Sequence, residues 1–164
     1  MNRRNVLLLL FMVILSVVLQ VAVLPVYIVS SFKPDLLLII AVFLGLRGSF
    51  EKCIPIAWLL GLVKDSFSGL YFGLNAFSFL FIFFAIKNTS DRLYADSPGL
   101  FVLAVCTASL ACSAIDLLLL MMFTSSGGIL YSIFADLIPY MLINSFTASL
   151  ITLFPWYARP QEAP

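Results

Sequence analysis

Histidine is missing from this sequence, and charged residues make up only 10% of its 164 positions. The three cysteines, Cys53, Cys106 and Cys112, have no paired spacing and fall inside or at the ends of apolar runs, as buried thiols do. Zinc, haem and iron–sulfur sites need ligand sets that these residues do not supply. We therefore expect no metal site and no cofactor.

Runs of basic residues are also missing, and the formal net charge is only +1, so no nucleic-acid surface is expected. No nucleophile or paired-acid motif stands in a water-accessible loop. Asp116 and Asp136 lie in Ala-Ile-Asp-Leu and Ala-Asp-Leu-Ile, which do not resemble the sites of intramembrane aspartyl proteases. The chain is predicted not to be an enzyme.

Apolar residues are abundant instead, at 63% of the chain with a mean hydropathy of +1.13. A soluble domain of this size must expose more polar surface than that. Several apolar runs approach the roughly 20 residues that cross a hydrocarbon core of about 30 Å. These features predict an all-α integral membrane protein, with residues 1–164 forming a single polytopic membrane domain.

Six transmembrane helices are predicted, near residues 5–24, 34–47, 52–67, 74–88, 99–123 and 129–157. The first is expected to remain uncleaved, because its apolar run is longer than that of a signal peptide and no cleavage site follows it. Pro34 and Asp35 suit the start of the second helix, since proline fits the first turn and an acid favours the helix dipole.

The cations predict the orientation, because cytoplasmic loops are enriched in lysine and arginine. With the N-terminus inside, only Lys33 lies outside and Lys64 lies within a helix. The other seven of the nine cations then face the cytoplasm: Arg3, Arg4, Arg47, Lys52, Lys87, Arg92 and Arg159. Both termini are therefore expected to be cytoplasmic.

Several polar residues are placed by this topology in the outer half of the bilayer, where a lipid-facing charge is costly. They are Lys64, Asp65, Asn75, Asp116 and Asp136. The economical arrangement brings them together around an outward-opening pocket, with Asp65 facing Asp116 and Asp136. Two interpretations stay open: a buried network that fixes helix register, or a pocket or groove for another helix. Gly61, Gly69 and Gly73 are candidates for close helix packing or a hinge.

Three stretches resemble a known family: Pro34 to Leu38, Gly61 to Gly69, and Phe72 to Ala76. They are similar to the motifs of MreD, the bacterial rod shape-determining membrane protein family. Lys64 departs from the pattern, because an apolar or small residue is expected there. The resemblance implies a non-enzymatic scaffold that binds the single-span protein MreC and helps couple cytoskeletal MreB to peptidoglycan synthases of the RodA and penicillin-binding types. It also implies a multi-pass place in the bacterial cytoplasmic membrane and a fold similar to the S components of energy-coupling-factor transporters.

The alternative function is that of such an S component, which would capture a vitamin or metal. S components usually carry an Ala-x-x-x-Ala face on the first helix, whereas here Ala22 is the only alanine of that helix. That difference argues against transport. A small assembly subunit of another complex is a third possibility.

Overall fold

A computed structural model describes residues 3–27, 33–68, 72–90, 97–123 and 127–153. Within these ranges the chain forms six helices and no strand, which confirms the predicted all-helical class. The first, α1, runs through Arg3–Val18, a π-helical turn at Leu19–Val23 and a final α-helical turn at Leu24–Tyr27. The others are α2 (Leu36–Arg47), α3 (Phe50–Ser68), α4 (Leu74–Ser90), α5 (Pro98–Phe123) and α6 (Gly127–Thr152).

The shortest complete helix, α2, lies at the centre of the bundle and contacts each of the other five. Its sequence is apolar on every side, and a helix of that kind is stable only when it is surrounded. Seven of its hydrophobic side chains are buried: Leu37, Leu38, Ile39, Ala41, Val42, Leu44 and Leu46. Because α2 is packed on all sides, the residues at its two ends are held in position by the bundle. Asp35 lies just before its first residue, and Arg47 is its last residue.

Small buried side chains allow the helices to approach one another closely. They are Ala41, Ala57, Ala76, Ala104, Ala108 and Ala148. The buried rings of Phe79, Phe83 and Phe101 fill the remaining space. The two most extensive helix pairs are α3 with α4 and α5 with α6.

The outside of the bundle is strongly apolar. Two segments, Leu7–Val26 and Pro98–Leu119, are long and apolar enough to cross a membrane, and three shorter apolar helices accompany them. Along α1, leucine, isoleucine and phenylalanine side chains are mostly exposed, with Leu7 at 66% and Phe11 at 63%. Apolar surface of this extent needs lipid or a partner to cover it.

Candidate functional site

Asp35 is the centre of the largest polar cluster in the described part of the chain. It is the N-cap of α2, and its Oδ1 accepts a hydrogen bond from the Leu38 backbone N–H at 3.1 Å. An aspartate in this position satisfies one of the free N–H groups of the first helical turn. Its own backbone N–H donates to Oδ1 of Asn144, on α6, at 2.6 Å. Asp35 thus fixes the start of α2 against α6.

Lys64 of α3 forms an ion pair with Asp35. Its Nζ lies 2.6 Å from Asp35 Oδ2, and the exposed fractions of the two side chains are 24% and 5%. The Tyr140 hydroxyl, on α6, donates to the same oxygen at 2.9 Å. The ammonium also lies 5.1 Å from the centre of the Phe79 ring, a favourable cation–π distance. Lys64 is therefore held by a carboxylate and a ring in a partly buried place, where an unpaired charge is costly.

Gln20 brings α1 to the same aspartate. Its Nε2 donates to the Pro34 carbonyl at 3.1 Å and approaches Asp35 Oδ1 at 3.4 Å. Gln20 lies in the π-helical turn Leu19–Val23, and such turns often occur at functional positions. These contacts fasten an otherwise exposed helix to the bundle.

The cluster continues through Asn144 to α5. Asn144 is fully buried, and its Nδ2 donates to Ser109 Oγ at 3.2 Å. Ser109 Oγ in turn donates to the Val105 carbonyl at 2.8 Å. Side chains or backbone of α1, α2, α3, α5 and α6 therefore meet in one hydrogen-bonded unit, which we call the Asp35 network: Gln20, Asp35, Lys64, Ser109, Tyr140 and Asn144. A buried polar network in which each member is satisfied rigidifies the helices that it joins.

Asp65 serves a different helix. Its carboxylate accepts hydrogen bonds from the backbone N–H groups of Gly73, Asn75 and Ala76 and from Asn75 Nδ2, at 2.9 to 3.1 Å. The N–H groups of Asn75 and Ala76 belong to the first turn of α4 and that of Gly73 immediately precedes it, where they have no partner within the helix. Asp65 of α3 therefore caps α4 from outside, and its negative charge faces the positive end of the α4 dipole.

Gly61 and Gly73 shape the same connection between α3 and α4. Gly73 has a φ of +100°, a backbone conformation that side chains disfavour. A Cβ added at Gly61 would lie 2.3 Å from Ala76 Cα, so only glycine permits the observed approach of α3 to α4. Gly69 lies outside the described residues.

Asp116 of α5 lies near Lys64 but is bound elsewhere. Its Oδ1 accepts from the Ser78 hydroxyl, on α4, at 2.7 Å, and its Oδ2 lies 3.7 Å from Cys112 Sγ. The Lys64 ammonium interacts electrostatically with Asp116 as well as with Asp35. Asp136 is part of helix α6, but the structure does not describe its side chain.

Asp65 is predicted to face Asp116 and Asp136 across a cavity; the described contacts of Asp65 and Asp116 go to other groups, and the Asp136 part of the prediction lies outside the described side chains. The structure turns both Asp65 oxygens to the first turn of α4. Depth along a helix gives height but not rotation, and adjacent residues such as Lys64 and Asp65 point about 100° apart at 3.6 residues per turn. Lys64 can therefore reach Asp35 while Asp65 reaches α4.

From the sequence, Asp35 is predicted to start a helix and forms part of a family motif, and no role is predicted for Gln20, Ser78, Ser109, Tyr140 or Asn144. A usable signal was present for two of them. Gln20 and Asn144 are polar residues within long apolar runs, the same criterion that selected Asn75.

Replacement of Asp65 with alanine is expected to lower the free energy of unfolding by about 2 kcal/mol, since it removes a cap and leaves buried N–H groups unpaired. Chemical or thermal unfolding of the purified protein in detergent measures this. Asp65→Asn, which keeps one acceptor oxygen, should give an intermediate loss. Ser66→Ala is the matched control, because the Ser66 side chain is exposed and its hydroxyl donates to the Leu62 carbonyl of its own helix. Equal stability of the Asp65→Ala and Ser66→Ala proteins would contradict the capping role.

The hydrogen bonds and the ion pair of Asp35 and Asp65 connect helices of this chain to one another. Within the described ranges no group of three histidine, cysteine, aspartate or glutamate residues is placed to hold a metal ion. Both oxygens of Asp35 and both oxygens of Asp65 accept hydrogen bonds from within the chain. These contacts join helices of the chain to one another, and the register-fixing interpretation stays a prediction.

Comparison with known proteins agrees with the motif resemblance. The family model described as "MreD: rod shape-determining protein MreD" matches residues 1–158. Searches of curated proteins and of solved structures give no match, so they add no support for a likeness to transporter S components. The match extends over almost the whole chain, from α1 to beyond α6. The chain belongs to the MreD family of rod shape-determining proteins.

Proposed function

We propose that this protein is a non-enzymatic membrane scaffold of the cell-elongation machinery, which binds an MreC-like single-span protein. Through that partner it would help couple MreB to the RodA and penicillin-binding synthases of peptidoglycan. The observation that carries the proposal is the family match over residues 1–158, which supports a role in rod shape determination.

The distribution of polar and apolar groups supports a binding role. The described intramembrane charges are Asp35, Lys64, Asp65 and Asp116. All four are engaged by other groups of the chain, whereas the outer faces of the bundle are apolar. Helices within a membrane associate through packing of such faces. A rigid bundle with an apolar exterior is suited to hold another membrane helix in a fixed position.

The proposed topology is multi-pass in the bacterial cytoplasmic membrane, with both termini in the cytoplasm. The positions of the cations in the fold are consistent with this topology. Lys64 and Asp35 lie at the N-terminal end of α2, whereas Arg47 lies in its last turn. Lys87 lies in the last turn of α4, and the C-terminal ends of α2 and α4 lie together. This end, rich in cations, would face the cytoplasm.

Two experiments test the proposal. Affinity purification from native membranes should recover an MreC-like single-span protein together with this chain. Depletion should convert rod-shaped cells to spheres, and a plasmid copy should restore rods. The matched control is an unrelated polytopic membrane protein with the same tag, which should recover no such partner.

Normal cell shape after clean deletion, together with a defect in vitamin uptake, would refute the scaffold and favour the S-component alternative. Normal shape with no uptake defect would also refute it and favour a subunit of another complex.

A further inference from the structure

Helix α1 changes its hydrogen-bonding pattern where Gln20 contacts Asp35. The Leu24 backbone N–H donates to the Leu19 carbonyl, five residues back, which is the bond of a π-helical turn. Pro25, in the α-helical turn that follows, has no N–H to donate. The Gln20 carbonyl therefore loses its regular helical partner, because the N–H of residue 24 is directed to Leu19 and residue 25 has none. Helices bend sharply at prolines and at π-helical turns, and here the two coincide.

The parts of α1 before and after this interruption are held differently. The first part, Arg3–Val18, makes the packing contact with α2. Three of its side chains pack against the buried core: Leu9, Val13 and Val17. The last turn, Leu24–Tyr27, which we call the α1 tip, follows the π-helical turn. No side chain is buried from residue 19 to residue 26, and Val26 of the tip is 73% exposed. Packing therefore fixes the first part of the helix but not its tip.

Gln20 is the fastening at the base of the tip. In the described part of the chain it supplies the side-chain hydrogen bonds between α1 and the rest of the bundle, to the Pro34 carbonyl at 3.1 Å and to Asp35 Oδ1 at 3.4 Å. A typical net hydrogen bond changes an equilibrium constant by a factor of only about five. A contact of that strength can hold one arrangement of the turn and still be released.

We propose that the turn Leu19–Val23, with Pro25, is a hinge in α1, and that the contact of Gln20 with Asp35 is a latch that fixes its bend. When the latch opens, the tip moves relative to the bundle and Asp35 loses one of the side chains that cover it. The coupling is reciprocal, so a partner that holds the tip in another position also removes Gln20 from the Asp35 network. The inference does not rest on the proposed function.

Distances between two nitroxide labels, measured by pulsed electron paramagnetic resonance on the full chain in lipid nanodiscs, test the hinge. The tip pair of labels is placed at the exposed positions Val26 and Ile138, on α1 and α6. A genetically encoded ketone residue carries each label, so the three native cysteines stay unchanged. The tip label lies six residues beyond Gln20, about 9 Å along a helix, so a change of about 30° in the bend moves it by about 5 Å.

Gln20→Leu removes the latch and keeps a side chain of similar size. It should raise the fraction of molecules with the displaced tip distance about fivefold, the change expected for the loss of one hydrogen bond. Val21→Leu, at the exposed neighbouring position, is the matched control and should leave the tip distance unchanged. A base pair of labels at the exposed positions Leu8 and Leu150 should give the same distance with and without the latch, because Arg3–Val18 stays packed on α2.

Pro25→Ala distinguishes a hinge from the loss of one contact. The alanine restores an N–H donor, so the helical hydrogen bonds can continue through residue 25. The double variant Gln20→Leu and Pro25→Ala should therefore give a single narrow distance for the tip pair, whereas Gln20→Leu alone gives two.

An unchanged tip distance in Gln20→Leu would overturn the proposal. An equal shift of the base pair would also overturn it, since α1 would then move as one rigid helix, and so would two tip distances in the double variant. Gln20→Asn, whose amide is one methylene shorter, is the second latch variant and serves if Gln20→Leu does not fold. Because the assay contains only this chain and lipid, its failure is distinguishable from failure to recover an MreC-like partner.

Discussion

Replacement of Asp35 with asparagine is expected to lower the free energy of unfolding by about 3 kcal/mol, the lower end of the range for breaking a buried ion pair. The lower end applies because 24% of the Lys64 side chain is exposed and can keep some solvation. The asparagine amide offers one acceptor oxygen where the carboxylate accepts from Lys64, Tyr140, Gln20 and the Leu38 N–H. At least one buried donor then lacks a partner.

A double-mutant cycle isolates the ion pair from the rest of the network. Lys64→Met should also destabilise, because it leaves the Asp35 carboxylate buried without its cation. Combining Asp35→Asn with Lys64→Met should cost less than the sum of the two, with a coupling of about 1 to 3 kcal/mol. Unfolding in detergent, followed by circular dichroism, measures all three proteins.

The matched control for this charge is Glu51→Gln. Glu51 is exposed in the first turn of α3, toward the opposite end of that helix from Lys64, and its loss should change stability by less than about 0.5 kcal/mol. If Asp35→Asn is as stable as Glu51→Gln, the Asp35 network does not hold the bundle together.

Replacement of Gly61 with alanine is expected to destabilise the protein by about 3 kcal/mol, because overpacking at a fixed backbone contact forces helices apart. The added Cβ would lie 2.3 Å from Ala76 Cα and 2.7 Å from the Ala76 nitrogen. No flexible side chain can move away to make room, so α3 and α4 must separate. That separation would also weaken the four hydrogen bonds from the start of α4 to Asp65.

Gly99→Ala is the control for this substitution. Gly99 lies near the start of α5, and a Cβ there would have nothing within 4 Å. Alanine favours helix more than glycine does, so Gly99→Ala should be neutral or slightly stabilising. If Gly61→Ala unfolds at the same temperature as Gly99→Ala, the close approach of α3 to α4 is not required.

The motifs that carry the family resemblance acquire physical roles in the structure. Pro34 and Asp35 open α2 and anchor the Asp35 network. Gly61, Asp65 and Asn75 form the contact between α3 and α4. Lys64, which departs from the family pattern, supplies the cation that pairs with Asp35.

Glycine and aspartate spacing could indicate the α3–α4 connection but not its hydrogen bonds. Asp65 and Asn75 are both predicted from the sequence as polar residues within the membrane, and the structure brings them together at 2.9 Å. The position of a residue along a helix carries no information on its rotation about the helix axis. It therefore could not show that Asp65 points to α4 while Asp116 bonds to Ser78 and Cys112.

The sequence by itself determines the features that depend on local composition and on the order of residues along the chain. Apolar runs separated by polar and glycine-rich turns are sufficient to predict an all-helical chain of six helices, and the motifs are sufficient to indicate the family. Tertiary packing alone decided the partners of the charges. Lys64 is 29 residues from Asp35 in sequence, and Tyr140 is 105 residues from it. These groups meet only because the short apolar helix α2 must be buried by all five of its neighbours, and that burial brings its capping aspartate within reach of α1, α3 and α6.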